Sequence, residues 1–154
     1  ILVIGKGLGG GLPVGAFTAD KKHMAQLVEA PSLGHITTFG GNPVVAAACR
    51  ATLQNIIKSS LVEDTLKKEK LFKNLLVHPK IKAIRGKGLM LALIMNDAKT
   101  AQTLVKNCIN EGILLFFLLF EPTAVRISPP LTISEKQIKK ACGTIIKVLN
   151  QMEC

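Results

Sequence analysis

Three places in this chain put a reactive or charged side chain where it can do chemistry: Lys6, the Thr37-Thr38 pair and Arg126. Lys6 follows the apolar run Ile1 to Ile4 and stands between Gly5 and Gly7, with Gly9, Gly10 and Gly11 just beyond. An uninterrupted β-branched and aliphatic run is the pattern of a strand buried on both faces. A lysine at its end sits where the core opens, and glycine neighbours remove bulk and allow unusual backbone angles. This predicts an amine in a partly dry pocket, able to attack a carbonyl, with room for a flat ligand beside it. Thr37-Thr38 precedes Gly40-Gly41 and the helix start Asn42-Pro43, so hydroxyls and backbone N–H groups gather as in a phosphate cradle. Arg126 interrupts the apolar stretch Val125-Arg126-Ile127. A guanidinium there must be paired or face a cavity, and its fork matches a carboxylate.

Each place has a second reading. The glycine-rich stretch also reads as a surface turn with a solvated lysine. Gly5 to Gly10 formally fits the G-x-G-x-x-G of a dinucleotide site, but that motif must open a helix, and Gly11 and Pro13 oppose one. A Walker A loop is excluded because glycine, not Ser or Thr, follows Lys6. Thr37-Thr38 also reads as an ordinary capping loop, and Arg126 as half of a structural ion pair. His35, a lone loop histidine, is left out of the site.

The elements that must position these residues are legible from periodicity and caps. Val14 to Thr18 reads as a second strand. Asp20 caps a helix through about Ala30, and Pro31 stops it. Asn42-Pro43 starts an alanine-rich helix that runs through Ile57, Ser59-Ser60 breaks it, and a Lys/Glu-rich helix resumes over Leu61 to Val77. Ile81 to Arg85 and Leu89 to Met95 read as a hairpin turning at Gly86-Lys87-Gly88. Asp97 caps a helix bearing Ala101, Leu104, Val105 and Cys108, closed by Gly112. Ile113 to Phe120 reads as a buried strand and Ala124 to Ser128 as another. Ser134 and Gln137 form a capping box for a last helix, whose apolar face is Ile138, Ala141, Cys142, Ile145, Val148 and Leu149. Strands alternating with helices make the second half a small α/β domain.

Composition narrows the function classes. The net charge is +10, yet the lysines scatter over polar helix faces and no Trp or Tyr is present to stack on bases, which argues against nucleic acid. Cys49, Cys108, Cys142 and Cys154 lack metal or disulfide-frame spacing and read as thiols in a reducing compartment. No metal site is expected. The longest apolar run, Ile113 to Phe120, is too short to span a bilayer, and no secretory leader is visible. The chain opens inside a strand without Met, so a fragment is expected.

In order along the chain, GKGLGGGLPVGAF, GHITTFGGNPV, IRGKGLM and VRISPPLTI make the sequence resemble the class III (subgroup II) pyridoxal-phosphate aminotransferases, most of all the acetylornithine and ornithine branch. The resemblance implies an α/β, fold type I transferase in which residues 1–43 end the large cofactor-binding domain, 44–79 are linking helices and 80–154 form the small C-terminal domain. It implies a homodimer with a shared active site and a cytoplasmic location. By position, Lys6 matches the Schiff-base lysine, Thr38 the threonine reaching the neighbouring subunit's cofactor phosphate, with the Thr37 backbone beside it, and Arg126 the arginine holding the substrate α-carboxylate. Arg85 matches an arginine with no catalytic role assigned. Lys6 would act as general base and acid in moving an amino group from an ornithine-like donor to a 2-oxo acid such as 2-oxoglutarate. The family's partner for the pyridine nitrogen, its stacking aromatic and its phosphate loop lie upstream of the lysine, so the isolated chain is expected to be inactive. Two rivals stand beside this: a non-catalytic nucleotide- or polyanion-binding module, and another class III enzyme, acting on 4-aminobutyrate or moving an amino group within one molecule.

Overall fold

In the computed structural model, which describes residues 1–29 and 31–152, the opening apolar run forms a strand. β1 (Leu2–Gly5) pairs antiparallel with β2 (Gly15–Thr18), from Leu2 opposite Thr18 to Gly5 opposite Gly15. Burial on both faces is not found: every residue of both strands is exposed, Val3 at 76%. A two-stranded ribbon has no second layer of its own to cover it.

The helix starts are where their caps place them. α1 (Lys21–Glu29) begins after Asp20, whose carboxylate accepts the His23 backbone N–H at 2.9 Å and is held below its ordinary range chiefly by that bond. The Ala30 end expected for this helix, and Cys154, lie outside the described residues. Asn42 Oδ1 accepts the N–H groups of Val44 at 3.0 Å and Val45 at 3.2 Å to start α2 (Pro43–Lys58). Pro43 takes the first helical position, where no N–H is needed. The Ser59-Ser60 break separates two compact units, Ile1–Ser59 and Ser60–Cys154, so α2 belongs to the first and α3 (Leu61–Leu75) to the second.

In the second unit β3 (Ile81–Lys87), β4 (Met90–Met95), β5 (Phe116–Phe117) and β6 (Ala124–Ile127) form an antiparallel sheet in the order β3-β4-β6-β5. Alternation sends Leu91, Leu93 and Met95 of β4, with Val125 and Ile127 of β6, into the core. There they meet Phe72 and Leu76, Leu104 and Cys108 of α4 (Ala98–Asn110), and Ile138, Ile145 and Leu149 of α5 (Glu135–Gln151). The β3–β4 hairpin turns later than its glycines suggest: Lys87 faces Met90, and Gly88-Leu89 is the turn. The capping box is present, with Ser134 Oγ accepting the Gln137 N–H and Gln137 Oε1 accepting the Ser134 N–H.

One expectation fails here. Residues 113–120 are not a buried strand: only Phe116 and Phe117 pair, with β6, while Leu114, Leu119 and Phe120 are exposed. β5 is the sheet edge, with one neighbour, and Leu115 alone of this stretch reaches full burial. Periodicity cannot separate an edge segment from a central strand when every residue is apolar.

Gly143 lies in the interior of α5, exposed, with open space where a Cβ would stand. Gly143→Ala therefore raises the stability of this unit by about 1 kcal/mol in urea titrations, the usual helix-propensity difference.

A latch ties α3 to the hairpin. Glu69 accepts the Gly88 backbone N–H through Oε2 and pairs with Lys73 through Oε1. The Lys73 hydrogen bond first, and the Gly88 bond second, hold the Glu69 carboxyl below its ordinary 4.5. A depressed carboxyl stabilises the fold above its unfolded value and loses that contribution as pH falls through the folded value. Melting temperature in wild type should drop more steeply below about pH 4.5 than in Glu69→Gln, which carries no titrating group there.

Candidate active site

The first unit places Lys6 at the point where β1 ends and a 3₁₀ turn, Lys6–Gly9, begins. Gly5 is fully extended, and Lys6 then adopts a left-handed φ of +51°, one of two non-glycine residues to do so among those described. A side chain in that region costs about 1–2 kcal/mol. Tight turns hold it, with Gly10 N–H donating to Gly7 O and Leu12 N–H to Gly9 O, each at 3.1 Å. A Cβ on Gly10 would collide with Thr52 Oγ1, so only glycine lets the turn lie against α2. No α-helix opens on the G-x-G-x-x-G stretch, which removes the helix N-terminus that a dinucleotide site needs. Lys6 itself is exposed, not set in a partly dry pocket, because nothing in β1 or β2 covers it. Gly7 and Gly11 face open space.

Thr37 and Thr38 lie exposed in the loop before α2. Gly40 N–H donates to Thr37 O at 3.0 Å, and Asn42 N–H to Phe39 O at 3.2 Å, closing the loop onto the helix start. Thr37, Gly40 and Asn42 border a cleft of about 570 Å³ together with Pro13, Val14 and Gly15 at the start of β2. Lys6 and Thr38 are not among its lining residues. His35 Nδ1 lies 3.2 Å from Leu27 O, a structural contact that agrees with leaving it out.

Arg126 belongs to the second unit. With Val125 and Ile127 turned into the core, it lies on the opposite face of β6, between Ala92 of β4 and Phe116 of β5. No carboxylate pairs with it among the described residues. Its guanidinium lies 4.9 Å from the Phe116 ring centroid, and its Nε is buried with no hydrogen-bond partner. It borders a cleft of about 420 Å³ with Phe116, Ser128 and Pro129. The sequence marks Arg126 as unusual but carries no local signal for Phe116 beside it, because that contact depends on strand pairing.

Two of the cysteines lie in the core of the second unit. Burial pushes the Cys108 and Cys142 thiols up to about 11, helped at Cys108 by Glu111. Neither thiol is in a disulfide. Among the described residues no group of His, Cys, Asp and Glu can hold a metal, and no helix is long and apolar enough to cross a membrane.

The family model for class III aminotransferases matches residues 1–149. The acetylornithine aminotransferase of Haemophilus ducreyi is 36% identical over 99% of this chain and 37% of its own length. The putrescine aminotransferase of Pectobacterium atrosepticum is 35% identical over 97% of this chain and 34% of its own. Among solved structures, the acetylornithine aminotransferase of Elizabethkingia anophelis superposes with a TM-score of 0.86 at 31% identity, over 97% of this chain and 38% of that one. The chain belongs to the class III aminotransferases, a family of pyridoxal-phosphate enzymes, and its α/β fold is theirs. It spans well under half the length of these relatives.

Proposed function

We infer that this chain supplies the Lys6 segment and the C-terminal domain of a transaminase that moves an amino group from an ornithine-like donor to 2-oxoglutarate. The observation that carries the reading is Lys6, held left-handed beside Gly7, which leaves open space, in a chain that matches the family over residues 1–149. The residues present fit pyridoxal phosphate: an exposed amine, room for a flat ring at Gly7 and Gly11, and exposed hydroxyls at Thr37 and Thr38. Bound there, the cofactor supplies an electron sink.

Lys6 Nζ would hold the cofactor and, once displaced by the donor's amine, would take the proton from the carbon bearing that amine and give it up again as general base and acid. Thr38 Oγ1 and the Thr37 backbone hold the phosphate of a cofactor seated in a second copy, which makes the working unit a homodimer. Arg126 orients the donor by its α-carboxylate through paired N–H bonds. On this reading residues 1–43 end the large cofactor-binding domain, 44–79 are linking helices and 80–154 form the small C-terminal domain. The free thiols fit a reducing compartment such as the cytoplasm. Arg126 favours an amino-acid donor over a diamine. In the full-length enzyme with pyridoxal phosphate, acetylornithine or ornithine with 2-oxoglutarate should yield glutamate. Failure of both donors with cofactor bound contradicts the reading.

A further inference from the structure

We propose that Phe116 is a positioning residue for Arg126: its ring face fixes the guanidinium plane, so that a substrate carboxylate meets an arginine already in its binding rotamer. The proposal rests on the reading of Arg126 as the carboxylate site. Three observations support it. The guanidinium carbon lies 4.9 Å from the ring centroid, within cation–π range. The register makes Phe116 the cross-strand neighbour of Arg126 on β5, while the neighbour on β4, Ala92, offers only a methyl group. Phe116 is 60% exposed, so burial does not explain its place.

The electrostatics point the same way. Arg126 Nε is buried and without an acceptor. Among the described residues no carboxylate completes the guanidinium. The ring balances part of the charge without occupying an N–H, which leaves the Nη edge for a ligand. Arginine carries about 2 kcal/mol of rotamer entropy, and a side chain ordered beforehand loses less of it on binding. Leucine at this position would keep the apolar bulk and the strand but lose the ring face.

The test uses the full-length enzyme, ¹⁵N-labelled, with glutarate as the probe. Arg126→Lys identifies the Arg126 Nε–H signal by its loss. In wild type the Arg126 signal should be displaced by the ring current and should move on glutarate addition. Phe116→Leu should abolish the displacement and weaken glutarate about five-fold, the size of an exposed cation–π contact. Phe116→Tyr should restore both. If Phe116→Leu leaves the displacement and the affinity unchanged, the proposal is overturned while Arg126 keeps its role. If glutarate leaves the Arg126 signal unmoved in wild type, the carboxylate reading of Arg126 fails, and the proposal with it.

Discussion

Replacing Lys6 with alanine in the full-length enzyme should lower transaminase turnover by roughly a thousand-fold, the scale of a lost general acid–base group. Arginine at the same place should be as inactive, because a guanidinium stays protonated and cannot take a proton. The backbone makes a second, independent expectation. Lys6 sits at φ +51°, where any side chain with a Cβ is strained and glycine is not. Lys6→Gly should therefore be more stable than Lys6→Ala by about 1 kcal/mol while equally inactive. Chemical denaturation and steady-state assays on the three variants separate the two effects. A stable, active Lys6→Ala would remove this residue from the chemistry altogether.

Gly86→Ala should destabilise the second unit by roughly 3–4 kcal/mol, a large share of the stability of a domain of this size. Gly86 lies inside β3 at φ +120°, opposite Leu91. A Cβ there would collide with the Met90 carbonyl oxygen and approach Leu91 Cα to 3.0 Å. Both are backbone atoms of the partner strand, so neither can swing away as a side chain would. Relief requires opening the hairpin, and β4 carries Leu91, Leu93 and Met95 into the core. Urea unfolding followed by far-UV circular dichroism measures the loss. The stabilising Gly143→Ala on α5 is the control, since the same added methyl meets nothing there.

These two glycines show what is legible in a sequence and what is hidden. Caps are local, and Asp20, Asn42, Asp97 and Ser134 start their helices as their types predict. The apolar stripes of α4 and α5 are local too, and they face the core, with Ala141 only half-buried at its margin. Burial of a strand is not local. Ile1 to Ile4 and residues 113–120 share the composition of central strands, yet each lies at an edge with one partner. The same limit applies at the site. Glycine, lysine and glycine in a row mark Lys6 as unusual, and its backbone is left-handed. Phe116 beside Arg126 depends on strand pairing across the loop that joins β5 to β6, and Glu69 beside Gly88 on a helix packing against a hairpin. No short motif encodes either contact.

We propose that Lys6 carries the cofactor. The direct measurement is reduction of the pyridoxal-phosphate-loaded enzyme with borohydride, then peptide mapping by mass spectrometry. The pyridoxyl group is expected on the peptide containing Lys6, and should be lost in Lys6→Ala. Cofactor fixed on another lysine, with Lys6 unmodified, would contradict the claim.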